Sequence, residues 1–296
     1  MSLKEPTPTP ITPPTGRHRE VVGLGEDERL IESVAKTVEA VTKGASSVRI
    51  EFVHLPPRHV GLGTGTAIHL AAAAAAVNAT GLSFDTDHMA TLSKRGGASG
   101  IGVNAFAVGG VIFDGGHSFD RRQPYRPSSH SAPHRLPPVV TRLTLPSQWQ
   151  VSLILPPGNI VAGQDELQFF QQELPLPRDE SLSAIAWAYH GVATAIVEAD
   201  LTSLASAIRA LNSIGMKKRE LAHQADVVRT TLRHLQSLPT IAAGMSSFGP
   251  LLYAISDVRD TLSSVHIYET AAAYDARVIT ASINNHGHRI EDANAF

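Results

Sequence analysis

From Glu26 to Thr42 the apolar positions Leu30, Val34, Val38 and Val41 recur at helical spacing, which predicts an amphipathic helix with one buried face. Ser47 to Leu55 then alternates. Val48, Ile50, Phe52 and His54 fall on one side and Arg49, Glu51 and Val53 on the other, the pattern of a half-buried strand. After a glycine-rich loop from Pro57 to Thr66 comes an alanine-rich helix, with Asn78 to Gly81 as its predicted end. A short helix is expected over Thr86 to Ser93, then a second glycine-rich run with a strand at its tail, Gly110 to Asp114.

The second half opens on a strand, Gln148 to Leu155. Three helical stripes follow: Leu182, Ile185, Tyr189, Val192 and Ile196; then Leu204, Ile208 and Leu211; then Leu221, Val228, Leu232 and Leu235. A third glycine-rich segment covers Ala242 to Ile255, and two strand-like stretches, Ser264 to Tyr268 and Arg277 to Ile283, close the chain. Two segments lack any such period. Proline density makes residues 4 to 15 an extended, solvated stretch, and residues 119 to 138, with five prolines and little apolar content, read as a surface loop near a domain boundary. Strands and helices mix without a regular βαβ alternation, so the expected class is α+β in two layers, divided as 1–145 and 146–296.

Composition narrows the function. A formal net charge of -2 argues against a nucleic-acid partner, which favours a basic face. The chain has no cysteine, so disulfides, thiolate metal sites and cysteine nucleophiles are excluded, in keeping with a reducing cytoplasm. No signal peptide is visible at the Pro- and Thr-rich start. The most apolar run, Ile68 to Val77, is about half the length of a membrane span.

The loop Pro57 to Thr66 follows a predicted strand and opens a helix, where main-chain N–H groups and the helix dipole converge on an anion. Gly61, Gly63 and Gly65 let a ligand approach the backbone, while Thr64 and Thr66 can cap the helix or donate to phosphate oxygens. No Gly-Lys-Ser/Thr ends the loop, so it is not a Walker A motif, and its third glycine falls too early for a dinucleotide fingerprint.

PRHVGLGTGT resembles the phosphate loop of the GHMP kinases, the superfamily of galacto-, homoserine, mevalonate and phosphomevalonate kinases. Those kinases also carry a motif like Pro-Ser-Gly-x-Asp before a Gly-Gly strand, the Asp being the usual base. Here the run is Ala98-Ser99-Gly100-Ile101-Gly102, followed by Gly109-Gly110-Val111-Ile112-Phe113, and a glycine stands at the place of the acid. Gly102 can neither accept a proton nor orient a hydroxyl, which speaks against an ordinary sugar or mevalonate kinase, although homoserine kinases of the superfamily also manage without the Asp. Two longer stretches, KRGGASGIGVNAFAVGGVIFDGGHS and GMSSFGPLLYAI, are similar to the signatures of the β-ribofuranosylaminobenzene 5′-phosphate synthase family, which shares the GHMP kinase fold. The likeness runs from about Val48 to Gly116, returns from Ala242 to Ile255, and weakens through INNHGHRI.

The resemblance implies an α+β GHMP kinase-like fold: an N-terminal ribosomal-protein-S5-like domain and a C-terminal ferredoxin-like domain. It implies a synthase of tetrahydromethanopterin biosynthesis that joins phosphoribosyl pyrophosphate to 4-aminobenzoate with release of CO₂ and pyrophosphate. Mg²⁺ and no organic cofactor are expected, in a cytoplasmic homodimer with small-molecule substrates and neither nucleic acid nor membrane as partner. Family members usually begin with an Arg-Leu-His-Phe-Gly-like strand, which is not found here, so the resemblance also implies a late start. The other readings are a GHMP-type kinase, which Gly102 opposes, and an inactive, N-terminally truncated binding protein.

Carried onto this chain, the phosphate or pyrophosphate site comprises Gly61, Gly63, Thr64, Gly65, Thr66, Ser99, Gly100, Ser246, Ser247 and Gly249. Lys94 and Arg95 offer positive charge to the sugar phosphate or the departing oxygens, Asp114 is a magnesium ligand, and His117 contacts substrate. His130 and His134, with Arg121, Arg122, Arg126 and Arg135, lack metal-site spacing and are read as surface.

Overall fold

The computed structural model describes residues 19–43, 47–97, 99–117 and 135–291. The early proline-rich stretch and the expected late start fall outside these residues, as do His130, His134, Arg121, Arg122 and Arg126.

Strand β1 (Arg19–Val22), which no periodicity announced, lies parallel to β2 (Val48–Glu51), and α1 (Glu28–Thr42) crosses between them. Asp27 caps α1 by accepting from the Leu30 amide at 3.0 Å. The predicted stripe Leu30, Val34, Val38 and Val41 is buried and meets Ile68, Ala72, Ala73 and Ala76 of α2 (Thr64–Thr80). Alanines on α2 keep the two helices close, since a side chain of one carbon fills no gap between backbones. Helices α3 (Thr86–Ser93) and α4 (Ile101–Val108) pack on the other flank of α2. The hairpin β3 (Val111–Asp114) and β4 (Val139–Leu143) is antiparallel.

Strand β5 (Trp149–Leu155) belongs to a four-stranded antiparallel sheet of order β6-β7-β5-β8, with β6 (Ala242–Met245), β7 (Leu252–Asp257) and β8 (Arg277–Ala281). Ile154, Ala243, Met245, Leu252 and Ala254 face α10 (Asp226–Leu235) and α11 (Thr261–Ala273). Trp149, Ala242 and Ile255 face Leu204, Ala205 and Ile208 of α8 (Leu201–Asn212). Both faces of the sheet are therefore covered. Val111, Leu143 and Leu145 join the second of these clusters, so the β3–β4 hairpin shares core with the C-terminal sheet.

Three expectations need correction. The first stripe breaks: α6 (Arg178–Ala186) runs into a π-helical segment (Trp187–Ala193) and α7 (Thr194–Val197), leaving Leu182 and Ile185 50% and 55% exposed. The wider turn rotates the face away from helical register, so only the later positions reach the core. The third stripe is two helices, α9 (Gly215–His223) and α10, because Gln224 turns inward to donate to the carbonyls of Asn159 and Phe248. Ser264 to Tyr268 is part of α11, not a strand. Asp260 caps that helix, accepting from the amide and hydroxyl of Ser263. Helices α4 and α5 (Gln164–Glu173) and strand β4 are additional elements. Among the described residues no helix is long and apolar enough to cross a membrane.

Candidate active site

The glycine loop forms an open mouth at the first turn of α2. Gly63 occupies the left-handed region, φ 65, at the N-cap, a conformation that costs an L-residue with a Cβ. The amides of Thr66 and Ala67 bond the Gly63 carbonyl, and the helix offers no carbonyl ahead of the Thr64 and Gly65 amides. A Cβ at Gly63 or Gly65 would meet nothing within 4 Å. The Thr66 hydroxyl bonds no described residue. Thr64 does different work: it is buried and its hydroxyl donates to the Pro57 carbonyl at 2.7 Å, closing the loop.

The segment GMSSFGP braces this loop from beneath. Ser246 donates from Oγ to the Gly61 carbonyl at 2.7 Å, and the Leu251 amide donates to Val60. Gly249 is buried and its amide bonds the Ser246 carbonyl, so it shapes the turn and does not face the mouth. Ser247 is exposed, with φ 48, and its carbonyl accepts from Lys217 at 2.8 Å. Lys217 also pairs with the buried Glu220, whose carboxyl burial pushes up while the ammonium opposes that shift.

Helix α4 abuts the mouth. A Cβ on Gly102 would stand 3.5 Å from the Thr66 methyl group, ordinary contact, so packing does not demand a glycine there. Asp114 secures the start of α4: its Oδ2 accepts from the Gly100 amide at 2.9 Å and Ser99 Oγ at 3.2 Å, and its Oδ1 from the Gly116 amide at 3.1 Å. The carboxylate thus acts as a helix cap favoured by the macrodipole. Among the described residues no group of three or more His, Cys, Asp or Glu side chains is placed to hold a metal ion. His117 is exposed and bonds no described residue. Lys94 ends α3 in the left-handed region, φ 54, with its side chain exposed.

Arg95 turns inward, to a group that the sequence did not announce. His69 of α2 is only 2% exposed. Its Nδ1 lies 2.8 Å from the Gly65 carbonyl, which can only accept, so Nδ1 carries the proton and Nε2 accepts from Ser33 Oγ at 2.9 Å. Arg95 Nη2 lies 3.0 Å and 3.3 Å from the two ring nitrogens. Burial first, then the Arg95 and Arg58 charges, push the imidazole down to about 4, so it is neutral. Arg58, at the start of the loop, pairs with Asp27 at 2.5 Å. The buried side-chain nitrogens without a partner among the described residues are Arg58 Nε, Arg95 Nε and Asn104 Nδ2. All three are donors, on segments that flank the open turn. The only local signal for His69 was one polar residue inside an apolar helix, and Arg58 gave none.

An apolar cavity of about 310 Å³ opens beside α2, α3 and α4, roofed by the stacked rings of Phe106 and His288. Its α2 walls are Leu70, Ala74 and Val77, between one and a half and four turns from the mouth, which separates it from the phosphate loop.

Residues 29–110 match the GHMP kinases N terminal domain family. The chain is 32% identical over 267 residues to the β-ribofuranosylphenol 5′-phosphate synthase of Methanocaldococcus jannaschii, covering 89% of this chain and 79% of that one. It is 34% identical over 266 residues to the protein of the same name from Archaeoglobus fulgidus, covering 89% and 82%. Its fold is similar to that of a homoserine kinase from Cytophaga hutchinsonii, with TM-score 0.64 at 14% identity, over 91% of this chain and 83% of the kinase.

Proposed function

The chain belongs to the β-ribofuranosylphenol 5′-phosphate synthase family, and from that premise we propose that it joins the anomeric carbon of phosphoribosyl pyrophosphate to a benzoate ring. The bond from that carbon to the diphosphate oxygen breaks and its electron pair leaves with pyrophosphate. The ring carbon bearing the carboxylate forms the new carbon–carbon bond, and the carboxylate leaves as CO₂, its bonding pair restoring the aromatic ring. No proton has to be removed.

That balance gives Gly102 a meaning. Most kinases of the superfamily orient a hydroxyl proton with an acid, and the resemblance places Gly102 at that position, beside Thr66; a substitution that expels CO₂ has no use for an acid there. Kinship with the named synthases carries the reading, and a glycine next to the open turn agrees with it. The amides at the start of α2 hold the diphosphate as its charge grows, with the helix dipole aligned on it.

Asp114 accepts from three donors as a cap at the start of α4, which leaves it about one acceptor site for a metal ion. Magnesium belongs to the proposal as the counter-ion that the diphosphate carries in on its own oxygens. The relatives' name contains a phenol, and an amino or a hydroxyl group para to the carboxylate activates the same ring carbon. Both 4-hydroxybenzoate and 4-aminobenzoate are therefore proposed as substrates for test. The composition, with no cysteine and a net charge of -2, supports a cytoplasmic enzyme of small molecules; a homodimer completes the proposal.

The test is release of labelled CO₂ from each carboxyl-labelled benzoate. Release that requires phosphoribosyl pyrophosphate supports the reading. ATP-dependent phosphorylation of an alcohol, without CO₂, overturns it.

A further inference from the structure

We propose that Arg58 and Arg95 form a second anion subsite, beside the first turn of α2, that takes the phosphate monoester end of the sugar whose diphosphate occupies that turn. The inference rests on the reading above for the identity of the ligand, but its structural grounds are separate.

Arg95 has no carboxylate within ion-pair distance among the described residues; its contact is a neutral imidazole. Arg58 has Asp27, but that carboxylate also caps α1, accepting from Leu30 on its other oxygen. Two guanidiniums near one another with one carboxylate, on Arg58, leave a net positive charge: burial, then the Arg58 charge, lowers Arg95. Half-buried cations without a counter-charge are costly unless an anion completes them. The Nε of each arginine is buried and unpartnered among the described residues. The planar guanidinium matches the bidentate geometry that a phosphate accepts.

Asn104 adds an independent pointer. It is 7% exposed, its Nδ2 has no partner, and a Cβ on Gly100 would come within 3.0 Å of that atom. It is a buried donor left over within α4, the helix whose Gly102 lies against Thr66 of the first α2 turn.

Position separates this subsite from the diphosphate site. The free amides are those of the first α2 turn, while Arg95 meets that turn only by way of the His69 ring, which bonds the Gly65 carbonyl. A pentose carrying a diphosphate at one end and a monophosphate at the other spans two such places. His69 is a positioning residue: held neutral, its Nε2 accepts from Ser33 and the ring lies against Arg95 without adding a third cation.

Calorimetry on the full chain tests the subsite with three probes: pyrophosphate, ribose 5-phosphate and inorganic phosphate. With the wild type saturated in pyrophosphate, ribose 5-phosphate is expected to bind within about threefold of its affinity alone, because the sites are distinct. Arg95→Met and Arg58→Met should each weaken ribose 5-phosphate about tenfold or more while pyrophosphate stays within about threefold. Mutual displacement of the two ligands on the wild type, a measurement independent of how any variant folds, overturns the proposal. So do variants that weaken both ligands alike. Inorganic phosphate binding as tightly as ribose 5-phosphate overturns the assignment to a sugar ester. Binding does not require turnover. Intact, arginine-dependent binding without CO₂ release would therefore reject the reaction and keep the subsite, and the reverse pattern would reject the subsite alone.

Discussion

The Ser246 hydroxyl donates to the Gly61 carbonyl at 2.7 Å, joining two segments 185 positions apart. The phosphate loop is therefore shaped by the C-terminal sheet as much as by its own sequence. Ser246→Ala removes one such bond and leaves the part-buried carbonyl without it, so about 1 kcal/mol of stability should be lost. The loop also loses its brace, and pyrophosphate affinity should fall with it. Thermal melting and calorimetry on one preparation check both effects; unchanged affinity would show that the brace does not shape the mouth.

Two neighbouring glycines should respond oppositely to alanine. At Gly61, φ is +104 and a Cβ would lie 2.2 Å from the Ser246 carbonyl oxygen, a clash with backbone. Gly61→Ala should cost about 3 kcal/mol or more and be visible as a large drop in Tm. At Gly65 a Cβ meets open space inside the first helical turn. Gly65→Ala should keep or raise Tm, by up to about 1 kcal/mol of helix propensity, while weakening pyrophosphate because the methyl stands where the ligand approaches.

His69 sets a pH dependence. Its pKa falls from 6.5 in the unfolded chain to about 4 when folded, so between those values the unfolded chain binds more protons. Stability is full above about pH 6.5 and is lost as the pH falls toward 4, by about 3 kcal/mol at most from this group. His69→Gln keeps hydrogen-bonding capacity without titrating and should flatten that part of the curve. Denaturant melts of both proteins between pH 4 and 7 measure it, and identical slopes would remove His69 as the cause.

Asp114 distinguishes a cap from a metal ligand. Asp114→Asn retains one acceptor oxygen toward the start of α4 and should cost about 1 kcal/mol or less, and Asp114→Ala about 1–2 kcal/mol. Neither should change the magnesium concentration at half-maximal activity. A large rise of that concentration in the asparagine variant would make the carboxylate a ligand after all.

Much of this molecule was legible locally. The α1 stripe, the α2 boundary at Gly81 and the β5 strand follow from periodicity and caps, because each depends on residues within a turn or two. Ser264 to Tyr268 misled because Val265 and Ile267 alternate as in a strand; the Asp260 cap, three residues before Ser263, was the better signal. The stripe from Leu182 failed for a different reason: the π segment shifts the face, and its close contact with α8 is long-range.

The candidate site divides in the same way. Bare amides at Thr64 and Gly65 with an alanine helix behind them are a property of backbone conformation and propensity, and the sequence alone determined them. Which side chains gather at that turn was decided by the tertiary structure. Arg58, Arg95, His69 and Ser246 come from four separate segments, with no period to relate them. The neutrality of His69 and the unpartnered Nε of each arginine exist only after folding, when burial removes water from groups that the open chain leaves solvated.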